Sequence, residues 1–224
     1  EGLGSIGLWR DFPRDLASAT GRRVVAYSRP GHGRSAPPAG GARTAAFFDR
    51  EADVGLPTVL EALEVDGPPV LVGHSDGATI ALLHAARREV TGVVAMAPHA
   101  FVETDAVGGI EDAVRAFEEG DLRERMARHH DDPAHVFRSW SDLWLDPRFW
   151  PWTIEADLGP LDAPLLLVHG ARDHYGTVAQ LDRIEAAVSS GRVQRLVAAA
   201  GHSPHLDQPE VVRDAVAGFL ASVG

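Results

Sequence analysis

The 224-residue sequence predicts an α/β fold, a mostly parallel sheet with helices on both faces, and three observations carry that expectation. Short apolar runs rich in β-branched residues recur near Val24, Val70, Val93, Leu165 and Leu196, as strands buried on both faces require. Stretches of helical composition separate them, as in successive βαβ units. Between Pro68 and Arg88, PPVLVGHSDGATIALLHAARR, a strand, a sharp turn and a helix follow one another without a spare residue.

The turn in that stretch is Gly73-His74-Ser75-Asp76-Gly77, a G-x-S-x-G pattern. Glycines on either side of the serine answer a place where side chains would collide with neighbouring backbone, and the turn lifts the Ser75 hydroxyl over the strand end. The following helix aims its unpaired N–H groups and positive dipole end at any negative charge that forms beside Ser75.

Two later segments complete the pattern. His169-Gly170-Ala171-Arg172-Asp173 closes the apolar run Leu165 to Val168, and Gly201-His202 follows the strand-like segment Val193 to Ala200. A nucleophile elbow followed in chain order by an acid and a histidine resembles the α/β-hydrolase superfamily, and the resemblance spans essentially the whole chain. It implies Ser75 as nucleophile, His202 as base and Asp173 as the acid that orients it. A serine hydroxyl is a poor nucleophile at neutral pH and needs such a base. His205 follows the same strand, but Gly201 and the spacing to Pro209 favour His202. Asp182 and Glu185 fall within a helix, whereas Asp173 lies in a loop leaving a strand.

The resemblance also implies an oxyanion hole. One donor is the N–H of Asp76, the residue after the nucleophile, and the other is the N–H of Gly2 or Leu3, because Glu1-Gly2-Leu3-Gly4-Ser5 looks like the remainder of the loop that supplies it in the family. With Glu1 inside that motif, a preceding strand is expected to be missing between the strands at Val24 and Val70, so that the N-terminal strands of the fold are absent from the sequence. Asp76 stands where a hydrophobic residue is common. Its carboxylate must point away from an oxyanion or meet a cation.

Taken in order, Ser5 to about Ala19 reads as a helix ended by Gly21, with Pro13 as a kink or break, and Arg23 to Ser28 as a strand. The Arg29 to Ser35 cluster reads as a tight turn, with His32 and Arg34 as remote candidates for substrate contact. Thr44 to Leu63 reads as a helix broken at Gly55 and Pro57. After the strand Thr91 to Ala97, the stretch from Pro98 to Pro164 is far longer than a βα connection needs, and its helical pattern over Ile110–Glu119, Leu122–His130 and Pro133–Leu145 marks an inserted cap. The domain expectation is a core of residues 1–98 and 164–224 with a helical cap at 99–163. The insertion carries Trp140, Trp144, Trp150 and Trp152 of the five tryptophans. Part of this aromatic set forms the cap's own core and part lines an apolar pocket; Trp140, Trp144 and His99 are the candidate substrate contacts. His129, His130, Asp131, Asp132 and His135 read as helix-end charge and capping, because zinc-ligand spacing is absent. Asp207 is expected to cap the last helix, Pro209 to Leu220.

Composition bounds the partners. Of the residues, 45% are hydrophobic and 24% charged, as in a globular domain, and no apolar run is long enough to span a bilayer. Zero cysteines exclude a disulfide framework and a thiolate metal site. A net charge of -11, with arginine as the only basic residue besides histidine, argues against nucleic acid and anionic membranes. The expectation is a cytoplasmic serine hydrolase without cofactor or metal, cleaving a small or medium apolar carboxylic ester. The alternatives are a carbon-carbon hydrolase of a diketone-type substrate and a ligand-binding protein of this fold with negligible turnover. A haloalkane dehalogenase needs aspartate at position 75.

Overall fold

A computed structural model describes residues 1–37 and 43–224. Four parallel strands form one sheet in the order β1 (Val70–His74), β2 (Gly92–Met96), β3 (Leu165–Gly170), β4 (Val193–Ala198). Val70 pairs with Gly92, Val93 with Leu165 and Leu165 with Val193. Alternate residues of a strand face opposite sides. Val93 and Ala95 pack into one core with α4 (Asp76–Arg87) and the helical segment, whereas Val94 and Met96 pack on the other face with Phe12, Leu16, Val216 and Phe219. The second layer comes from α1 (Phe12–Thr20) and α10 (Pro209–Val223). Both faces are covered, so the inner strands are apolar throughout.

The remaining helices are α2 (Phe47–Arg50) and α3 (Leu56–Ala62), α5 (Val107–Glu118), α6 (Leu122–Ala127) and α7 (Pro133–Leu145), α8 (Ala179–Ala187) and α9 (Pro204–Asp207). Helices α5 to α7 lie between β2 and β3 and hold together through their own aromatic residues: Phe117 and Phe137 stack at 4.1 Å. An isolated antiparallel bridge between Phe101 and Thr153 joins the start and end of this segment. Among the described residues, no helix is long and apolar enough to cross a membrane.

Three expectations are corrected. The helix from Ser5 divides into a 3-10 turn, Ile6–Trp9, and α1, so Pro13 sits in the first helical turn, where its missing N–H is harmless, and kinks nothing. The Thr44 to Leu63 helix is not broken at Gly55 and Pro57. A wide turn over Glu51–Gly55 links α2 to α3, and Pro57 begins the latter. The Arg23 to Ser28 stretch joins no strand: the backbone of Val24 to Tyr27 makes no hydrogen bond among the described residues, and a cavity of about 200 Å³ lies between it and β1.

The turn from β1 to α4 is set by close approach. Ser75 adopts φ 54 and ψ -120, sparsely populated for a residue with a side chain. A Cβ on Gly73 would run into the backbone of Gly77 and Ala78, but one on Gly77 would meet nothing nearer among the described residues than the Glu1 backbone at 4.0 Å. Only the first elbow glycine is required by space. Gly73→Ala is expected to lower stability by about 1–3 kcal/mol or more through overpacking against backbone, and Gly77→Ala to leave the urea midpoint nearly unchanged. Equal midpoint shifts for the two variants contradict this account of the turn.

Candidate active site

Ser75 lies at the C-terminal end of β1 and Asp173 just beyond β3, with His202 in the loop after β4. Parallel strands bring these ends to one edge of the sheet. His202 Nδ1 lies 2.8 Å from Asp173 Oδ2, and the other carboxylate oxygen accepts the Tyr175 N–H at 2.9 Å. Burial raises the Asp173 pKa, but the hydrogen bond and charge of His202, with the Tyr175 N–H and His169, together outweigh it and the net shift is downward. An ionised Asp173 accepts the Nδ1 proton, so that in a neutral His202 ring Nε2 is the acceptor. The Ser75 hydroxyl forms no hydrogen bond among the described residues. Ser75 and His202 open on one cavity of about 80 Å³, lined also by Gly2, Leu3, His99, Ile110, Trp140, Trp144 and Tyr175.

Gly170 lets the two partner loops meet, since a Cβ there would collide with the Gly201 carbonyl. His74 ties the elbow to the same loop: its Nε2 lies 2.7 Å from the His202 carbonyl. Asp207 does not cap α10, as the sequence led us to expect. Its carboxylate accepts the Gly201 N–H at 2.8 Å, and the capping position is Gln208. The Gly201 N–H lies beside His202, so a loop donor takes the oxygen first. His205 is buried, packed 5.0 Å from the Trp9 ring and 4.8 Å from His74; burial, then the neighbouring His74, pull its pKa down to about 3.

At the mouth of α4 the N–H groups of Asp76 and Gly77 have no acceptor among the described residues, and neither has that of Leu3. Gly2 lies between the Trp140 indole and the Asp76 carboxylate, and a Cβ there would meet both. Asp76 is fully buried. Arg43 Nη2 reaches its Oδ2 at 2.5 Å, with Arg29 at 4.0 Å. Burial works to raise the Asp76 pKa, but Arg43 and Arg29 bring it down to about 2. Burial likewise lowers Arg43 to about 10 against the pull of Asp76. The guanidinium lies 3.6 Å from the Phe47 ring centroid. The cation demanded by Asp76 is therefore Arg43, which no local sequence signal identifies.

His99 lines the cavity, 4.9 Å from the Trp144 ring and 5.9 Å from His202. Burial, then the nearby His202, hold it neutral with a pKa of about 4. Of the turn residues, His32 lies buried beneath the Gly2 carbonyl and Arg34 is exposed. His130 hydrogen-bonds core loops, and Asp132 accepts the His135 N–H at the start of α7.

Residues 3–215 match the model of the alpha/beta hydrolase family. The chain belongs to the alpha/beta hydrolase family. This hydrolase-fold chain is 30% identical over 250 residues to the polyketide synthase ThaQ of Burkholderia thailandensis, covering 98% of its own length and 11% of that protein. Its structure resembles that of a putative lipase from Acinetobacter baumannii (TM-score 0.75, 19% identity, all of this chain and 82% of that one). It also resembles a proline iminopeptidase from Mycobacterium smegmatis (TM-score 0.71, 18% identity, 99% of this chain and 87% of that one). At these identities the structural likeness carries the fold alone, and the chemistry rests on the site.

Arg43→Met leaves the Asp76 carboxylate buried without its hydrogen-bonded partner. In urea unfolding it is expected to cost about 3–5 kcal/mol, and Arg43→Met combined with Asp76→Leu to recover most of that loss, because an apolar pair replaces a buried ion pair cheaply. A single variant as stable as the parent contradicts the pairing.

Proposed function

We propose that the chain is a serine hydrolase that cleaves a small or medium apolar carboxylic ester through an acyl-enzyme. The observation that supports this best is the His202–Asp173 hydrogen bond of 2.8 Å at the rim of the cavity that holds Ser75 on a positive-φ turn. In this reading His202 Nε2 takes the Ser75 proton as Oγ attacks the ester carbonyl, and Asp173 stabilises the imidazolium. The carbonyl oxygen gains charge between the N–H groups of Asp76 and Leu3. His202 then protonates the departing alcohol, and water, activated by the same histidine, hydrolyses the acyl-enzyme. The helical segment acts as a cap: Ile110, Trp140 and Trp144, with Leu3 and Tyr175, make an apolar wall around the acyl chain. The partner is a small molecule, and no step calls for a metal or cofactor.

A second reading, hydrolysis of a carbon-carbon bond in a diketone-type substrate, draws on His99. Its ring makes no hydrogen bond to the protein among the described residues. A neutral imidazole on an apolar wall suits a second substrate oxygen, which a diketone carries and a simple acyl chain lacks.

A fluorophosphonate probe is expected to label Ser75 by mass spectrometry. Ser75→Ala and His202→Ala are each expected to lower kcat by about three to four orders of magnitude or more, and Asp173→Asn to do so through a misplaced tautomer. His205→Ala is expected to keep most of the turnover per folded molecule. Labelling at Ser35 or Ser203, or a dead His205→Ala beside an active His202→Ala, contradicts the assignment. Wild-type turnover of a β-diketone that His99→Leu abolishes, while a size-matched ester is still cleaved, selects the second reading. Absence of diketone turnover removes it.

A further inference from the structure

Glu1 to Gly4 form a tight turn, closed by the Gly4 N–H donating to the Glu1 carbonyl at 3.2 Å. Three side chains from distant parts of the sequence meet this turn at its carbonyls, and one of them, His32, has its Nε2 3.2 Å from the carbonyl of Gly2. Arg29 Nη2 donates to that of Glu1. His130, just past the end of α6, has its Nε2 2.9 Å from that of Leu3, while the Gly33 N–H approaches its Nδ1 to 2.9 Å. A nitrogen that faces an N–H acts as acceptor, so the ring proton is on Nε2 and is donated to Leu3. Burial favours the same neutral ring, lowering the pKa more than the hydrogen bond to Leu3 raises it. The Asp131 N–H donates to the Gly33 carbonyl at 2.9 Å, so residues 130 and 131 clip Gly33 from both sides. Gly33 itself sits at φ +61, and a Cβ there would stand 2.8 Å from Ser28 Oγ.

The consequence follows from peptide planarity. In a trans peptide the carbonyl and the following N–H point to opposite sides, and no peptide bond here is cis. Arg29 fixes the plane between Glu1 and Gly2, and His130 fixes the plane between Leu3 and Gly4. The intervening Gly2–Leu3 unit is thereby held from both ends, and His32 lies against its carbonyl. Its N–H, on Leu3, has no partner among the described residues, and both residues line the cavity with Ser75.

Building on the serine hydrolase reading, we propose that His130 is a positioning residue for the oxyanion loop. From the cap, its Nε2–H holds the Leu3 carbonyl so that the Leu3 N–H stays aimed at the oxygen of the tetrahedral intermediate. Docking of the cap and assembly of the oxyanion hole are then one event, although His130 touches no reacting atom.

Two near-isosteric variants separate this role from a purely structural one. His130→Asn places an amide oxygen where Nδ1 stands and keeps an acceptor for Gly33, but is too short to reach Leu3. His130→Gln places an amide N–H where Nε2 stands and keeps the Leu3 donor. On p-nitrophenyl butyrate, with active sites counted by fluorophosphonate labelling so that only folded enzyme is scored, His130→Asn and His130→Ala are expected to lose about 10- to 100-fold in kcat. Their KM should change little, and His130→Gln should keep kcat near that of the wild type. Equal kcat for the Asn and Gln variants, or losses that appear in KM alone, overturn the proposal while Ser75 labelling of the wild type keeps the hydrolase reading. A wild-type chain that neither labels at Ser75 nor turns over the ester overturns both.

Discussion

The contact on which the site depends is the approach of β1 to the first turn of α4, close enough that the space beside Gly73 is filled by the backbone of Gly77 and Ala78. Ser75 is forced to positive φ by that approach. The strain is confined to one residue, and the helix and strand on either side, buried in the core, hold it in place. The same geometry leaves the N–H groups of Asp76 and Gly77, at the first turn of α4, without acceptors among the described residues. The parallel sheet does the rest. Loops after β3 and β4 emerge beside the elbow, with Gly170 giving the clearance that brings Asp173 and His202 within 2.8 Å of each other.

A carboxylate at position 76 runs against this arrangement. An anion beside a developing oxyanion opposes it unless its charge is met elsewhere, and Arg43 with Arg29 meets it in a buried cluster beneath the Glu1–Gly4 turn. Arg29 also donates to the Glu1 carbonyl. The charges that neutralise Asp76 and the groups that hold the Glu1–Gly4 turn therefore form one continuous network, and this links the carboxylate at position 76 to the shape of that turn.

Much of this was legible in the sequence, because the signals are local. The strand-turn-helix of residues 68 to 88, the loop positions of Asp173 and His202, and the helices inserted between β2 and β3 each leave a pattern within a short window. Long-range partners leave none. Arg43 is far from Asp76 in sequence, and His130 is 127 residues from the Leu3 carbonyl it meets; nothing near either arginine or histidine distinguishes it from a surface residue. Asp207 shows the opposite hazard, a locally sound capping position overruled by the Gly201 N–H beside it. The apolar run at Val24 reads as a strand for sound local reasons, yet a strand exists only by pairing, and Val24 to Tyr27 has no ladder partner among the described residues.

The central claim is that the Ser75 hydroxyl, the His202 ring and the N–H groups of Asp76 and Leu3 converge on one tetrahedral centre. A crystal structure of the phosphonylated enzyme tests it most directly, since the phosphonate mimics that centre. The account predicts phosphorus bonded to Ser75 Oγ, with one phosphoryl oxygen within about 3 Å of both N–H groups and the His202 ring within hydrogen-bond reach of Oγ. A phosphoryl oxygen turned toward the Trp144 wall or solvent, with either N–H left unpaired, contradicts it.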